Sequence, residues 1–151
     1  MGNNSYLALA KRDLQNAKEL FDVTTTGYNL VVRLSQQAVE KIMKHFIEEL
    51  GFEKFRPLLS SHNTVSLYSA ILELGVLSED FATKREMIIL KSYYFDTDYP
   101  GENYIEIDRH SAKDALNFAQ GFVDEILEYE HDSGGNSEED RVSVSEVFNK
   151  S

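Results

Sequence analysis

No cysteine occurs in the 151 residues. Disulfides, thiolate catalysis and cysteine-ligated zinc or iron–sulfur sites are excluded with it. Long apolar runs are also missing. The longest span a few residues, against about 20 needed to cross a bilayer, so no membrane span is expected. Met1-Gly2-Asn3-Asn4-Ser5 has no basic patch leading into an apolar run, which predicts no signal peptide and a cytoplasmic location. Positive charge is scarce, with 15 Lys and Arg against 26 Asp and Glu, a net of −11. That balance works against a broad surface that tracks phosphates, because nucleic-acid affinity comes largely from Lys and Arg. A Gly-rich phosphate loop, a Gly-x-Ser-x-Gly elbow and an HExxH helix are all absent. There is no internal repeat, and no acid pair is marked as a general acid–base couple.

What is present is helical periodicity. Apolar residues make up 42% of the chain, enough for a real core in one domain. Leu7, Ala10, Leu14, Ala17 and Phe21 alternate spacings of three and four, the stripe of a first helix over about 5–21. Ser5 or Asn4 can cap it. Thr24-Thr25-Thr26-Gly27 reads as a turn. A second helix is expected from Tyr28 to Leu50, with Leu30, Leu34, Ala38, Ile42 and Phe46 inward and Gly51 as its stop. Glu40 and Lys44 stand four apart in the favourable order. So short a link predicts an antiparallel hairpin.

Residues 52–61 read as a loop, because Pro57 disfavours helix at Arg56. A third helix should open near Ser61–Asn63, carry Val65, Tyr68, Ile71 and Leu72 inward, and end near Gly75. A fourth, capped by Ser78 or Thr83, should reach about Phe95. A turn-rich loop, 96–107, then leads to a fifth helix capped by Asp108 and running to about Tyr129. Its stripe is Ala112, Leu116, Ala119, Phe122 or Val123, and Ile126.

Composition shifts at His131. Residues 131–151 carry five acids and two bases, a net of −3, which leaves −8 on residues 1–130. The expected division is a helical domain, 1–130, and a flexible acidic tail, 131–151. Val142, Val144, Val147 and Phe148 form an apolar island inside that tail.

Several short stretches, in order and on the expected helices, together resemble one known family. Asp13 with Ala17 and Leu20 resembles the family's first-helix pattern of acid, small residue and leucine. Gln36-Gln37-Ala38-Val39-Glu40-Lys41, with Lys44 after it, resembles the Gln-Ala-x-Glu-Lys core of its second helix. His62 before Leu67 resembles the Thr-His-x-Leu start of its third, with Ser61 in place of Thr. Tyr93 or Tyr94 followed by Tyr99-Pro100 resembles the Tyr…Arg-Tyr-Pro end of its fourth. Asp98 stands where the family usually has that Arg, so an anion replaces a phosphate-compatible cation. The family that these motifs resemble is the HEPN domain family (higher eukaryotes and prokaryotes nucleotide-binding), and the resemblance covers about residues 5–130. It implies an all-α, up-and-down bundle of about five helices. It also implies one of three roles: a dimeric interaction module paired with a minimal nucleotidyltransferase in a two-component, toxin–antitoxin-like system, a nucleotide-binding domain, or a metal-independent ribonuclease.

Each role names its residues. For the ribonuclease, Arg56-x(5)-His62 fits the family's Arg-x(4–6)-His spacing. His62 would move the 2′-hydroxyl proton and Arg56 would neutralise the phosphate. In ribonuclease members that pair lies on a late helix, whereas Pro57 follows Arg56 here. His62 also has a plain structural reading, as part of a Ser61-His62-Asn63 helix cap. For nucleotide binding, Lys41, His62, Tyr94 and Tyr99 would line the pocket, with aromatic rings stacking a base. Tyr93, Tyr94, Phe95 and Tyr99 would equally serve as a packing wedge or dimer contact. No metal or cofactor is expected. His45, His110 and His131 lack partners at metal-ligand spacing. Asp96 to Ile107 fails the calcium-loop pattern at Pro100 and Ile107. The interaction module, as a homodimer with a partner subunit and no catalysis, fits this set of residues best.

Overall fold

A computed structural model describes residues 5–78 and 107–136, the last seven by their backbone alone. Among the described residues all regular structure is helical. The expected fourth helix, the aromatic cluster at 93–99, Asp98 and the turn-rich loop up to residue 106 lie outside the described residues, as do Val142 to Phe148.

Helix α1 spans Tyr6–Val23. Ser5 caps it, its Oγ accepting from the Ala8 amide at 3.1 Å. Ala10, Leu14, Ala17 and Phe21 are buried as the periodicity predicts. The helix stops at Thr24, whose backbone is extended and whose Oγ1 accepts from the amides of Thr26 and Gly27 at 3.2 and 2.6 Å. A Cβ at Gly27 would lie 2.7 Å from that Oγ1, so the turn needs glycine there.

Helix α2 spans Tyr28–Leu50 and is the central element, touching α1, the return segment 51–63 and both later helices. Enclosure on several sides changes which of its residues are inward. Leu30, placed on the stripe by periodicity, is 47% exposed, while Val31, Val32, Val39, Met43 and Ile47 join Ala38, Ile42 and Phe46 in the core. A single narrow stripe describes a helix covered on one face, not one embraced by neighbours.

Residues 52–60 are not an open loop. Phe52–Phe55 make one turn of helix, α3, and Arg56–Ser60 a 3-10 turn with Pro57 near its start, where a missing amide donor costs little. Helix α4 spans Thr64–Glu73 and buries Thr64, Leu67, Tyr68, Ala70 and Ile71. Gly75 closes it with φ +76°, the left-handed conformation that glycine adopts without penalty. Helix α5 spans Arg109–Asn136. Asp108 caps it, Oδ1 accepting from the Ser111 amide at 2.8 Å. Its backbone stays helical seven residues past Tyr129, into the stretch read as a flexible tail, because adding a turn to an existing helix is far easier than nucleating one.

Cross-chain contacts set the directions. Asp13 meets Lys41, and Phe21 packs on Tyr28, so α1 and α2 are antiparallel. At one end of α2 the Asn29 side chain accepts from the Ile107 amide at 3.0 Å, and near the other Phe46 packs edge-on against Tyr129 at 6.0 Å. Helix α5 therefore runs parallel to α2. The α4 entry sits beside Glu40, and Leu74 lies against Gly51, so α4 also runs along the second half of α2 in the same direction. Tyr68 and Phe122 close the core between α4 and α5.

Candidate functional site

Charged side chains inside a helical core need partners, because desolvating a charge without one is costly. Helix α2 carries two such residues, Glu40 and Lys44, on its enclosed part, and α1 contributes Asp13. Successive residues on a helix point about 100° apart, so Glu40 and its neighbour Lys41 serve different faces. Lys41 reaches α1, its Nζ 2.6 Å from Asp13 Oδ2. Glu40 turns towards the α4 entry, its Oε1 3.1 Å from His62 Nδ1.

These contacts place two of the expected site residues. Lys41 bridges α1 and α2. His62 is not the cap of α4. Asn63 takes that role, its Oδ1 accepting from the amides of Val65 and Ser66 at 3.1 and 3.2 Å. Ser61 Oγ in turn accepts from the Asn63 amide at 2.9 Å. The His62 side chain is 59% exposed while the Glu40 side chain beneath it is 4% exposed.

Burial raises the Glu40 carboxyl above its ordinary pKa, and His62, Lys44 and Lys41 pull the other way without cancelling it. Its second oxygen, Oε2, is buried and has no hydrogen-bond partner among the described residues. Lys44 is lowered, first by burial, with the Glu40 charge opposing and Lys41 adding to the shift. The cluster therefore resists full ionisation: a carboxylate and an ammonium in a poorly solvated place, each moderating the other.

Arg56 lies elsewhere in its contacts. It is exposed on the 3-10 turn, its guanidinium 5.6 Å over the Phe52 ring. Arg56 thus lies over Phe52 and His62 beside Glu40, on either side of the Pro57 turn. Tyr94 and Tyr99, the other half of the expected nucleotide pocket, lie outside the described residues. Of the remaining histidines, the His45 ring packs edge-on against Phe46 at 4.9 Å, and exposed His110 pairs with Asp114 at 3.4 Å. Among the described residues no group of three or more His, Asp or Glu could hold a metal ion. No described helix is long and apolar enough to cross a membrane.

The motif residues form two contacts on different faces of α2: Lys41 with Asp13 towards α1, and Glu40 with His62 at the α4 entry. The HEPN domain family model matches residues 4–129. The chain belongs to the HEPN family. No curated protein and no solved structure matches it. In this HEPN domain the second-helix motif is chiefly inward: Gln36 and Glu40 are buried, and Lys41 is half-buried. Asp13 and Lys44 were not among the expected site residues. Their signal was in the sequence all the same, since Asp13 sits beside Leu14 on the apolar stripe of α1 and Lys44 lies between Met43 and Phe46 on α2.

Proposed function

We propose that this HEPN domain is a non-catalytic interaction module that dimerises and docks a partner subunit, a minimal nucleotidyltransferase of a two-component, toxin–antitoxin-like system. One observation carries the reading. The two described residues expected to handle a nucleotide are engaged by acids of the domain itself, Lys41 by Asp13 and His62 by Glu40. A phosphate arriving at Lys41 would compete with a buried carboxylate 2.6 Å away. The net charge of −11 adds a repulsive field for any polyanion. Ribonuclease chemistry at Arg56 and His62 would first have to draw the Arg56 guanidinium off the Phe52 ring.

Native mass spectrometry of the gently purified protein tests this. A species at twice 17.3 kDa with no added mass is the expected result. A monomer that also captures no partner on co-purification would overturn the proposal. Added mass matching a nucleotide would replace it with the nucleotide-binding reading. Growth arrest on expression, relieved by His62→Ala, would replace it with the ribonuclease.

A further inference from the structure

One end of the bundle gathers three helix C-termini. Phe46 against Tyr129 brings the ends of α2 and α5 together, and Leu74 against Gly51 adds the end of α4. At this end Leu50 and Phe52 are 46% and 39% exposed, two of the large apolar side chains that the described fold leaves in water. Exposed Glu48, Glu49 and Glu53 surround them. Of the nearby cations, Lys54 is held by Glu73 and Arg56 lies over Phe52. The patch is therefore apolar with a rim that is acidic on balance, three glutamates against Arg56.

The chain beyond α5 starts from the same end. Past Tyr129, α5 continues seven residues, about 10 Å, while α2 continues four past Phe46, about 6 Å. From Asn136 to Val142 is six residues, a reach of up to about 20 Å. The segment Arg141–Lys150 differs from the acidic stretch before it. It carries Val142, Val144, Val147 and Phe148, and its charges are Arg141 and Lys150 against Glu146, two minus one, a net of +1.

We propose that residues 141–150 fold back on their own domain and cover Leu50 and Phe52, with Arg141 and Lys150 set against the Glu48–Glu49–Glu53 rim. Attachment through so short a connection gives an effective concentration of about millimolar, so a contact of a few apolar side chains suffices. Covering the patch removes from water an apolar surface that would otherwise invite association.

The absence of cysteine makes the test clean. A nitroxide on Asn149→Cys of the full chain labels one place only. The expected result is loss of amide signal at Leu50–Phe55 in dilute, nitrogen-15-labelled protein, restored on reducing the nitroxide. Adding Val144→Ser and Phe148→Ser to the same chain should abolish that loss. Both positions lie beyond residues 4–129, the extent of the HEPN match, and unchanged amide shifts elsewhere in the domain check that it still folds. Undiminished signals at Leu50–Phe55 would overturn the proposal. So would signal loss that appears when unlabelled spin-bearing chains are mixed with spin-free labelled ones, since the segment would then cover a second copy.

Discussion

His62 and Glu40, 22 residues apart in the chain, meet with Nδ1 and Oε1 at 3.1 Å, an exposed imidazole over a buried carboxylate. The contact pins the entry of α4 to the middle of α2. It also ties the stability of that junction to pH.

The direction follows from linkage. Burial raises the folded-state pKa of Glu40 above its unfolded value. At pH below the unfolded value both states hold the proton, and the site contributes fully. As pH climbs from there through the folded value, the unfolded chain releases its proton first and stability is lost. Glu40→Gln keeps the shape and cannot ionise, so its urea-unfolding free energy should fall less steeply than wild type over this window. His62 is the main group holding the Glu40 shift down, so His62→Ala should steepen the fall. Parallel pH profiles for the three proteins would contradict the account.

Asp13 and Lys41 make a charge-assisted hydrogen bond between α1 and α2, with side-chain exposures of 11% and 29%. Removing either partner strands the other. Asp13→Ala and Lys41→Ala should each lower stability by about 1.5–3 kcal/mol. The double variant should cost less than the sum of the two, as a thermal-denaturation cycle would show. Strict additivity would mean the pair does not interact in solution.

Asn63, not His62, caps α4. Asn63→Ala should therefore destabilise the domain by about 1 kcal/mol with no pH dependence. That behaviour separates it from His62→Ala, whose effect changes with pH. Chemical denaturation at two pH values distinguishes the two variants.

Phe122 is fully buried and packs on Tyr68 and Phe118, with ring centroids at 6.4 and 5.9 Å. Phe122→Ala should cost about 3–5 kcal/mol. That is a large share of the about 5–15 kcal/mol available to a domain, so the melting transition should broaden or vanish.

Helix boundaries were largely legible in the chain. Ser5 and Asp108 cap as their residue types suggest, Gly51 and Gly75 end helices, and the stripes of α1 and α5 are buried as spaced, except for Leu7, which is half-buried at the start of α1. Such signals are local: a cap, a breaker and a 3.6-residue period act within one turn of backbone. The HEPN resemblance was legible for the same reason, as a set of short motifs each confined to one helix.

What the sequence could not rank was the fate of its charges. In the sequence Glu40 and Lys44 are a favourable pair four apart on one helix, and His62 is part of a Ser61-His62-Asn63 cap. Their actual surroundings depend on α1 lying against one side of α2 and on the α3 and 3-10 turns returning the chain so that α4 begins beside Glu40. That same enclosure put Val31 and Met43 inside and left Leu30 partly in water. Periodicity determined which residues form helices and which face is mostly apolar. Only the tertiary packing decided which neighbours each face meets, because burial and charge pairing are properties of two surfaces brought together and neither surface alone contains them.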